Sequence, residues 1–293
     1  MGEIIGAALV SHVPTMVLPL ADRVELNEGK DISLIAGLQR LRTEVLDVLK
    51  PDVVIIFDTH FATLLEVVVA AHGRRSGLYT SDELPRGMRQ VPYNLQGDPE
   101  LAELIAAEAN LAGTRSTPID DPCLPIHYGT LNVARYLQGN EKWVTVSLCQ
   151  TADTDDFLKF GQGLARAIEK LDRRVVLLAS GSMSHRFWPL KELAKHEASD
   201  PRHIRTPEAR AADMERLAWF EAGEHDKVIG TMDAFLAHAP EGRFGHYLMM
   251  AGALGGTACK AKGRLFSDYE NATGTSQVHV WFDKPEGGWT AQA

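Results

Sequence analysis

Apolar residues come along this chain in two rhythms. Short runs rich in Val and Ile, at 4–10, 53–57, 65–71, 143–148, 175–179 and 278–282, predict β-strands. Between them the spacing turns helical. In 32–49 the apolar residues are Ile35, Leu38, Leu41, Val45, Leu46 and Leu49. Asp98 and Pro99 supply an N-cap and a first-turn proline for a helix reaching about residue 111, and 154–171 forms a third. The stretch 207–254 reads as mostly helical, with amphipathic patterns at 211–222 and 225–238. Strands alternating with helices predict the α/β class: a central, mostly parallel or mixed sheet with helices on both faces. No internal repeat, low-complexity tract or linker interrupts the pattern, so residues 1–293 are expected to form a single domain.

Two of the strand-like runs end alike. "IIGAALVSHVP" stops at Ser11 and His12, and "PDVVIIFDTH" stops at Asp58, Thr59 and His60. A third, 175–179, leads through "SGSMSHRF" to His185. In open α/β sheets ligands gather at the carboxyl ends of strands, so these three imidazoles are expected to converge on one crevice.

Composition narrows what that crevice serves. With 293 residues and 45% hydrophobic content, the chain can bury a large core. A formal net charge of -9 argues against nucleic acid as the main partner, since phosphate binding wants a basic surface. Cys123, Cys149 and Cys259 are far apart and form no CxxC pair, so they read as buried thiols in a reducing, cytoplasmic setting. The N-terminal run lacks a basic flank and carries Glu3, which suits a strand better than a signal peptide. Gly6 stands where a myristoylation signal needs Ser or Thr. No apolar run approaches the roughly 20 residues that span a bilayer, so no membrane partner is expected.

There are 11 histidines, so most need no special role. His72, His196, His203, His225 and His238 sit in polar, surface-like contexts. His279 alternates within a strand and either points to solvent or packs, while His127 and His246 lie beside interesting segments and stay open. His12 and His60 stand apart by their shared strand-end context; neutral imidazole suits zinc, copper, iron and nickel. A third ligand would be a carboxylate. Glu241, in "APEGRFGHYLMMAGAL", is the candidate, and it equally suits the start of a helix, where the dipole favours an acid.

Five motifs occur in order along nearly the whole chain: "SHVPTM", "FDTH", "HYGT", "LASGSMSHRF" and "PEGRFGHYLMM". Together they resemble the class III extradiol ring-cleavage dioxygenases, the superfamily of protocatechuate 4,5-dioxygenase catalytic subunits. "GLYTSDELP", "YNLQGDPEL" and "GTSQV" are most similar to its 3,4-dihydroxyphenylacetate 2,3-dioxygenase branch. The resemblance implies non-haem ferrous iron, Fe(2+), held by His12, His60 and Glu241, with His185 as acid/base over the substrate. Many members carry histidine immediately before the glycine of the "GT" motif. Here Tyr128 stands there, preceded by His127, as in the homoprotocatechuate and aminophenol branches, so Tyr128 inherits the second-sphere role.

Ring cleavage explains why such residues are needed. Two histidines and a carboxylate occupy one face of an octahedron and leave the other open to a catechol and O2. An imidazole whose unperturbed pKa is about 6.5 can take a substrate proton and return it, and a tyrosine can donate a hydrogen bond. The expected partners are therefore a small aromatic substrate and O2, the expected product is a muconic semialdehyde, and a homo-oligomer, with or without a second type of subunit, is the expected assembly. Asp58 could orient a ligand or cap the strand end. Arg186 and Arg243 could pair with a substrate carboxylate or simply solvate the surface. A zinc hydrolase shares the ligand set and would not need O2, and a non-catalytic relative could keep the fold without turnover.

Overall fold

The computed structural model describes residues 1–290; the last three residues of the expected 1–293 domain lie outside the described residues. Twelve strands are assigned among them. They are β1 (Glu3–Val10), β2 (Val53–Thr63), β3 (Val67–Ala70), β4 (Arg74–Tyr79), β5 (Val91–Gln96), β6 (Ser116–Ile119), β7 (Lys142–Cys149), β8 (Arg174–Ser180), β9 (Gly263–Leu265), β10 (Glu270–Ala272), β11 (Thr275–Gln277) and β12 (Val280–Asp283). Eight form one sheet in the order β6-β3-β7-β2-β8-β1-β12-β9. Its centre, β7-β2-β8-β1, is parallel; β12 and β9 extend one edge antiparallel, and β3 meets β7 antiparallel at the other. The sheet is therefore mixed, and the α/β expectation holds.

Alternation along the central strands splits the core in two. Ala7, Leu9, Ile55, Phe57, Leu177 and Ala179 face one side, against the helices Pro99–Leu111, Thr154–Lys170 and Gly245–Ala253. Ala8, Val10, Val54, Ile56, Val176 and Leu178 face the other, against residues 33–49 and the helix Tyr128–Leu137. Both faces are apolar, which is why these strands show no alternation in sequence. A Leu177→Ala truncation at this fully buried position should cost about 2–5 kcal/mol.

The helices begin where local chemistry stops the chain from fraying. Asp98 accepts from Leu101 N–H ahead of Pro99, and Asp153 forms a reciprocal capping box with Asp156. The expected single helix at 32–49 contains a π-helical stretch, Leu41–Leu46. Several elements went beyond the sequence reading, among them the helix Tyr128–Leu137, the β10–β11 ribbon, and the β4–β5 hairpin, which pairs with itself and stays outside the main sheet.

Two surface expectations fail. His225 is fully buried, hydrogen-bonded to Tyr247 Oη at 2.8 Å and Ala261 O at 2.9 Å, and His72 is buried against Asp121 O at 2.7 Å. Polar neighbours in sequence said nothing of these distant partners. Cys149 and Cys259 are buried as expected, but Cys123 is exposed because its loop is. No helix of the described residues is long and apolar enough to cross a membrane.

Candidate metal centre and active site

The strand ends do converge, but β2 does so by an irregularity rather than by stopping. It continues to Thr63, and its ladder with β7 jumps from Asp58↔Ser147 to Ala62↔Leu148. The residues between, Thr59, His60 and Phe61, bulge out of the pairing, the usual device for re-aiming a side chain at a site. Asp58 braces the bulge: Oδ1 accepts from His60 N–H at 2.9 Å and Oδ2 from Thr130 Oγ1 at 2.7 Å. Asp58 thus acts on the backbone of His60 rather than on its ring.

His12 follows β1 directly and is buried. Asn132, on the helix Tyr128–Leu137, donates to its carbonyl at 2.7 Å. Ser180, the last residue of β8, donates its hydroxyl proton to Gly129 O at 2.7 Å and lies 2.9 Å from His12 Nδ1. With that proton committed, Ser180 Oγ can only accept, so His12 carries its hydrogen on Nδ1 and presents a bare Nε2. The carboxylate of Glu83 does the same for His60, with Oε1 lying 2.9 Å from Nδ1. Both Nε2 atoms face Glu241 Oε1, each at 3.4 Å.

Glu241 comes in from a strained turn. Ala239, Arg243 and Phe244 all adopt positive φ, as does Gly242. A Cβ on Gly242 would sit 2.5 Å from Leu148 Cδ2, so any side chain there would have to push that methyl group aside. Such strain persists where surrounding structure overdetermines it. Here Glu241 N–H donates to Met183 O at 3.1 Å, Ser182 N–H to Glu241 Oε2 at 2.6 Å, and Thr59 Oγ1 to Oε1 at 2.5 Å. Burial alone would favour the acid form of Glu241, but His185, His12 and His60 around it outweigh burial and hold its pKa well below the usual range.

One donor atom from each of His12, His60 and Glu241 lies within 4.8 Å of the others. Two Nε2 lone pairs freed by Nδ1 partners and one ionised carboxylate make a donor set that fits a divalent transition metal on one open-faced side.

Above this set lies a cavity of about 360 Å³, lined by His12, His60, Tyr128, His185, Val13 and Phe187 among others. His185 is placed by the loop after β8, where its N–H donates to Ala239 O at 3.1 Å and its backbone bridges Thr275. Its Nε2 stands 3.8 Å from Glu241 Oε2. Burial lowers its pKa, so the ring is neutral near pH 7. Tyr128 packs its ring 3.9 Å from that of His60 and donates its hydroxyl to Glu83 Oε2 at 3.2 Å. Burial, then the carboxylates of Glu83 and Glu241, raise its pKa, so it is a donor and not a base.

The open candidates separate. His127 is the N-cap position of the helix Tyr128–Leu137 and stacks on Phe61 with centroids 5.6 Å apart, away from the cavity. His246 is buried beneath Gly181, where a Cβ would meet its ring at 2.7 Å, and burial pushes its pKa down to about 3. Arg186 donates to Ala237 O at 2.7 Å and Arg243 is exposed; neither lines the cavity. The cavity's arginine is instead Arg23, bonded to Asp31 at 2.7 and 2.8 Å. His279 packs fully buried: it accepts from Ser11 N–H at 3.1 Å and its Nε2 lies 3.0 Å from Leu34 O. Sequence reasoning missed Glu83 as a functional residue, although it stands in "GLYTSDELP", a motif already noted for its resemblance.

Residues 6–283 match the family described as the catalytic LigB subunit of aromatic ring-opening dioxygenase. A 3,4-dihydroxyphenylacetate 2,3-dioxygenase of Escherichia coli is 35% identical over 190 residues, covering 64% of this chain and 68% of that one. The beta subunit of a Pseudomonas 2-aminophenol 1,6-dioxygenase is 25% identical over 253 residues, 81% of each chain. The crystal structure of the uncharacterized protein JW3007 from Escherichia coli K12 superposes with a TM-score of 0.65 at 18% identity, covering 94% of this chain and 99% of that one, which speaks to the fold alone. The chain belongs to the LigB family of aromatic ring-opening dioxygenases.

Proposed function

We propose that this extradiol-type ring-opening dioxygenase uses Fe(II) held by His12, His60 and Glu241 to cleave a substituted catechol with O2, giving a muconic semialdehyde. The whole chain, 1–293, would serve as one catalytic domain. The observation that carries the reading is the meeting of three metal-type donors within 4.8 Å, at the base of a cavity that also presents His185 and Tyr128.

When bound, Fe(II) would bring catechol and O2 together and relieve the spin mismatch that makes dioxygen sluggish toward closed-shell molecules. The protein's own share is positioning and proton movement. Neutral His185 takes a proton from a substrate hydroxyl at Nε2 and returns it when the ring opens. Tyr128 stays protonated, and with its hydrogen given to Glu83 its oxygen accepts a hydrogen bond from the substrate. Val13, Leu34 and Phe187 keep the walls apolar, which limits water beside the reacting oxygens.

The likeness to the Escherichia coli enzyme favours 3,4-dihydroxyphenylacetate or a similar para-substituted catechol as substrate. The aminophenol enzyme's likeness supports a second reading, in which an amine replaces one substrate hydroxyl. It also motivates an assembly of several subunits, identical or of two types, as the alpha and beta names of those relatives suggest. Anaerobic loading with Fe(II), then a panel of catechols and aminophenols followed by O2 uptake and ring-fission absorbance, tests the reading. Catechols should be cleaved best. Turnover of aminophenols alone would select the second reading, and hydrolytic activity without O2 uptake would overturn both.

A further inference from the structure

The β4–β5 hairpin is hydrogen-bonded to His60 and Tyr128 through the side chain of Glu83. Its tip, residues 82–87, is exposed, while Ser81 and Met88 at its base are buried and tied together by Ser81 N–H donating to Met88 O at 3.0 Å. Leu84 N–H donates to Ser81 Oγ and Gly87 and Met88 N–H to Leu84 O, so the tip holds its own shape. From it Glu83 and Leu84 line the cavity. Glu83 spends its two oxygens on different elements: Oε1 on His60 Nδ1 in the β2 bulge at 2.9 Å, and Oε2 on the Tyr128 hydroxyl at 3.2 Å.

We propose that Glu83 is the positioning carboxylate of this site, fixing through one oxygen which nitrogen His60 offers to the metal and through the other where Tyr128 points its hydroxyl. The inference rests on the metal-centre reading given above. A carboxylate on the far nitrogen of a metal-facing histidine sets its tautomer and orientation and raises its basicity. A plain surface ion pair would engage one partner. This one joins two groups that both face the cavity, 68 positions apart in sequence, whose ring centroids lie 3.9 Å apart at a tilt of 36°. His12 shows what the site otherwise uses, a neutral serine at the end of a core strand.

The test has two arms and three variants, Glu83→Ala, Glu83→Gln and Tyr128→Phe. In the metal-free protein, at a pH high enough to keep the His60 ring neutral, long-range ¹H–¹⁵N NMR of histidine side chains reads its tautomer directly. Wild type and Tyr128→Phe should show the proton on Nδ1, and Glu83→Ala should lose that preference. In the second arm, anaerobic competition with a colorimetric chelator measures Fe(II) affinity. Glu83→Ala should bind roughly 10–100-fold more weakly, the range found for such outer partners. Glu83→Gln, with one acceptor oxygen left, should fall between, and Tyr128→Phe should stay within about twofold because its bond ends on the other oxygen. The visible spectrum of the Co(II)-loaded protein should shift in Glu83→Ala, reporting a moved imidazole. A His60 proton on Nε2 in wild type, or a tautomer and Fe(II) affinity both unchanged in Glu83→Ala, would overturn the proposal. Wild-type protein that is folded and binds no Fe(II) would instead sink the metal reading, and the NMR arm would still decide whether Glu83 holds His60.

Discussion

His12 and His60 present the same nitrogen to Glu241 at the same 3.4 Å, yet they are held by unlike surroundings. His12 belongs to a floor built from the ends of β1 and β8. Its side chain is 5% exposed, its ring partner is a neutral hydroxyl, and the neighbouring Ser11 is tied to His279 in the core. His60 belongs to a roof. Its side chain is 14% exposed, it rides on a bulge, and its ring partner is a charged carboxylate, 54% exposed, on a hairpin tip. Burial of one wall and exposure of the other let a site keep its ligands fixed while admitting a substrate. His60 also shows the electrostatic side of that contrast. Burial lowers its pKa, but the Glu83 bond and the charges of Glu241 and Asp58 overcome burial and raise it.

The sharpest way to break the comparison is to remove a floor ligand. His12→Ala or Glu241→Ala should abolish stoichiometric Fe(II), measured colorimetrically on protein whose circular dichroism is unchanged. Full iron occupancy in either would refute the ligand assignment. Next in size come the groups over the cavity. His185→Phe should retain iron yet lose roughly 10²–10⁴-fold in turnover at saturating substrate and O2, the range for a positioned acid/base. Tyr128→Phe should lose on the order of 10-fold, in line with one hydrogen bond. If Tyr128→Phe were dead and His185→Phe nearly wild type, their roles would be exchanged.

A pH experiment probes the floor's support. His279 accepts from Ser11 N–H through Nδ1, so protonating that nitrogen would cost both the bond and a buried charge; burial pushes its pKa down to about 4, against a smaller opposing effect of Leu34 O. Above about pH 6.5 both folded and unfolded chains hold it neutral. As pH falls from about 6.5 toward about 4, only the unfolded chain takes up the proton, so this group withdraws stability across that window, on the order of 3 kcal/mol in all. Urea melts of wild type and His279→Gln at pH 7 and pH 5 would show it: the acid-induced drop should be smaller in the variant. Equal drops would assign the loss elsewhere. The smallest effect is expected at Arg243, exposed and outside the cavity: Arg243→Ala should leave kcat/KM within about twofold. A tenfold rise in KM for a carboxylated catechol would instead bring that side chain to the substrate.

Much of this was legible in the chain. The unbroken apolar runs of β1, β2 and β8 announced strands buried on both faces, and Asp98-Pro99 announced a helix start, because burial and capping act between near neighbours. His12, His60 and His185 stood out for the same reason: each follows a run of known periodicity, so its place at a sheet edge is local information. That β2 runs on to Thr63 and swings His60 out as a bulge was not legible, since it depends on the register with β7. Nor was the burial of His225, or the choice between solvent and packing for His279, since their partners lie 22 to 268 positions away. By itself the sequence determined the element types, the two-faced core and the residue kinds available for chemistry. Tertiary structure alone decided which nitrogen each imidazole offers. That choice rests on Ser180 and Glu83, which meet His12 and His60 only after β8 and the β4–β5 hairpin have packed, because a tautomer is set by the partner across space and not by the neighbour in the chain.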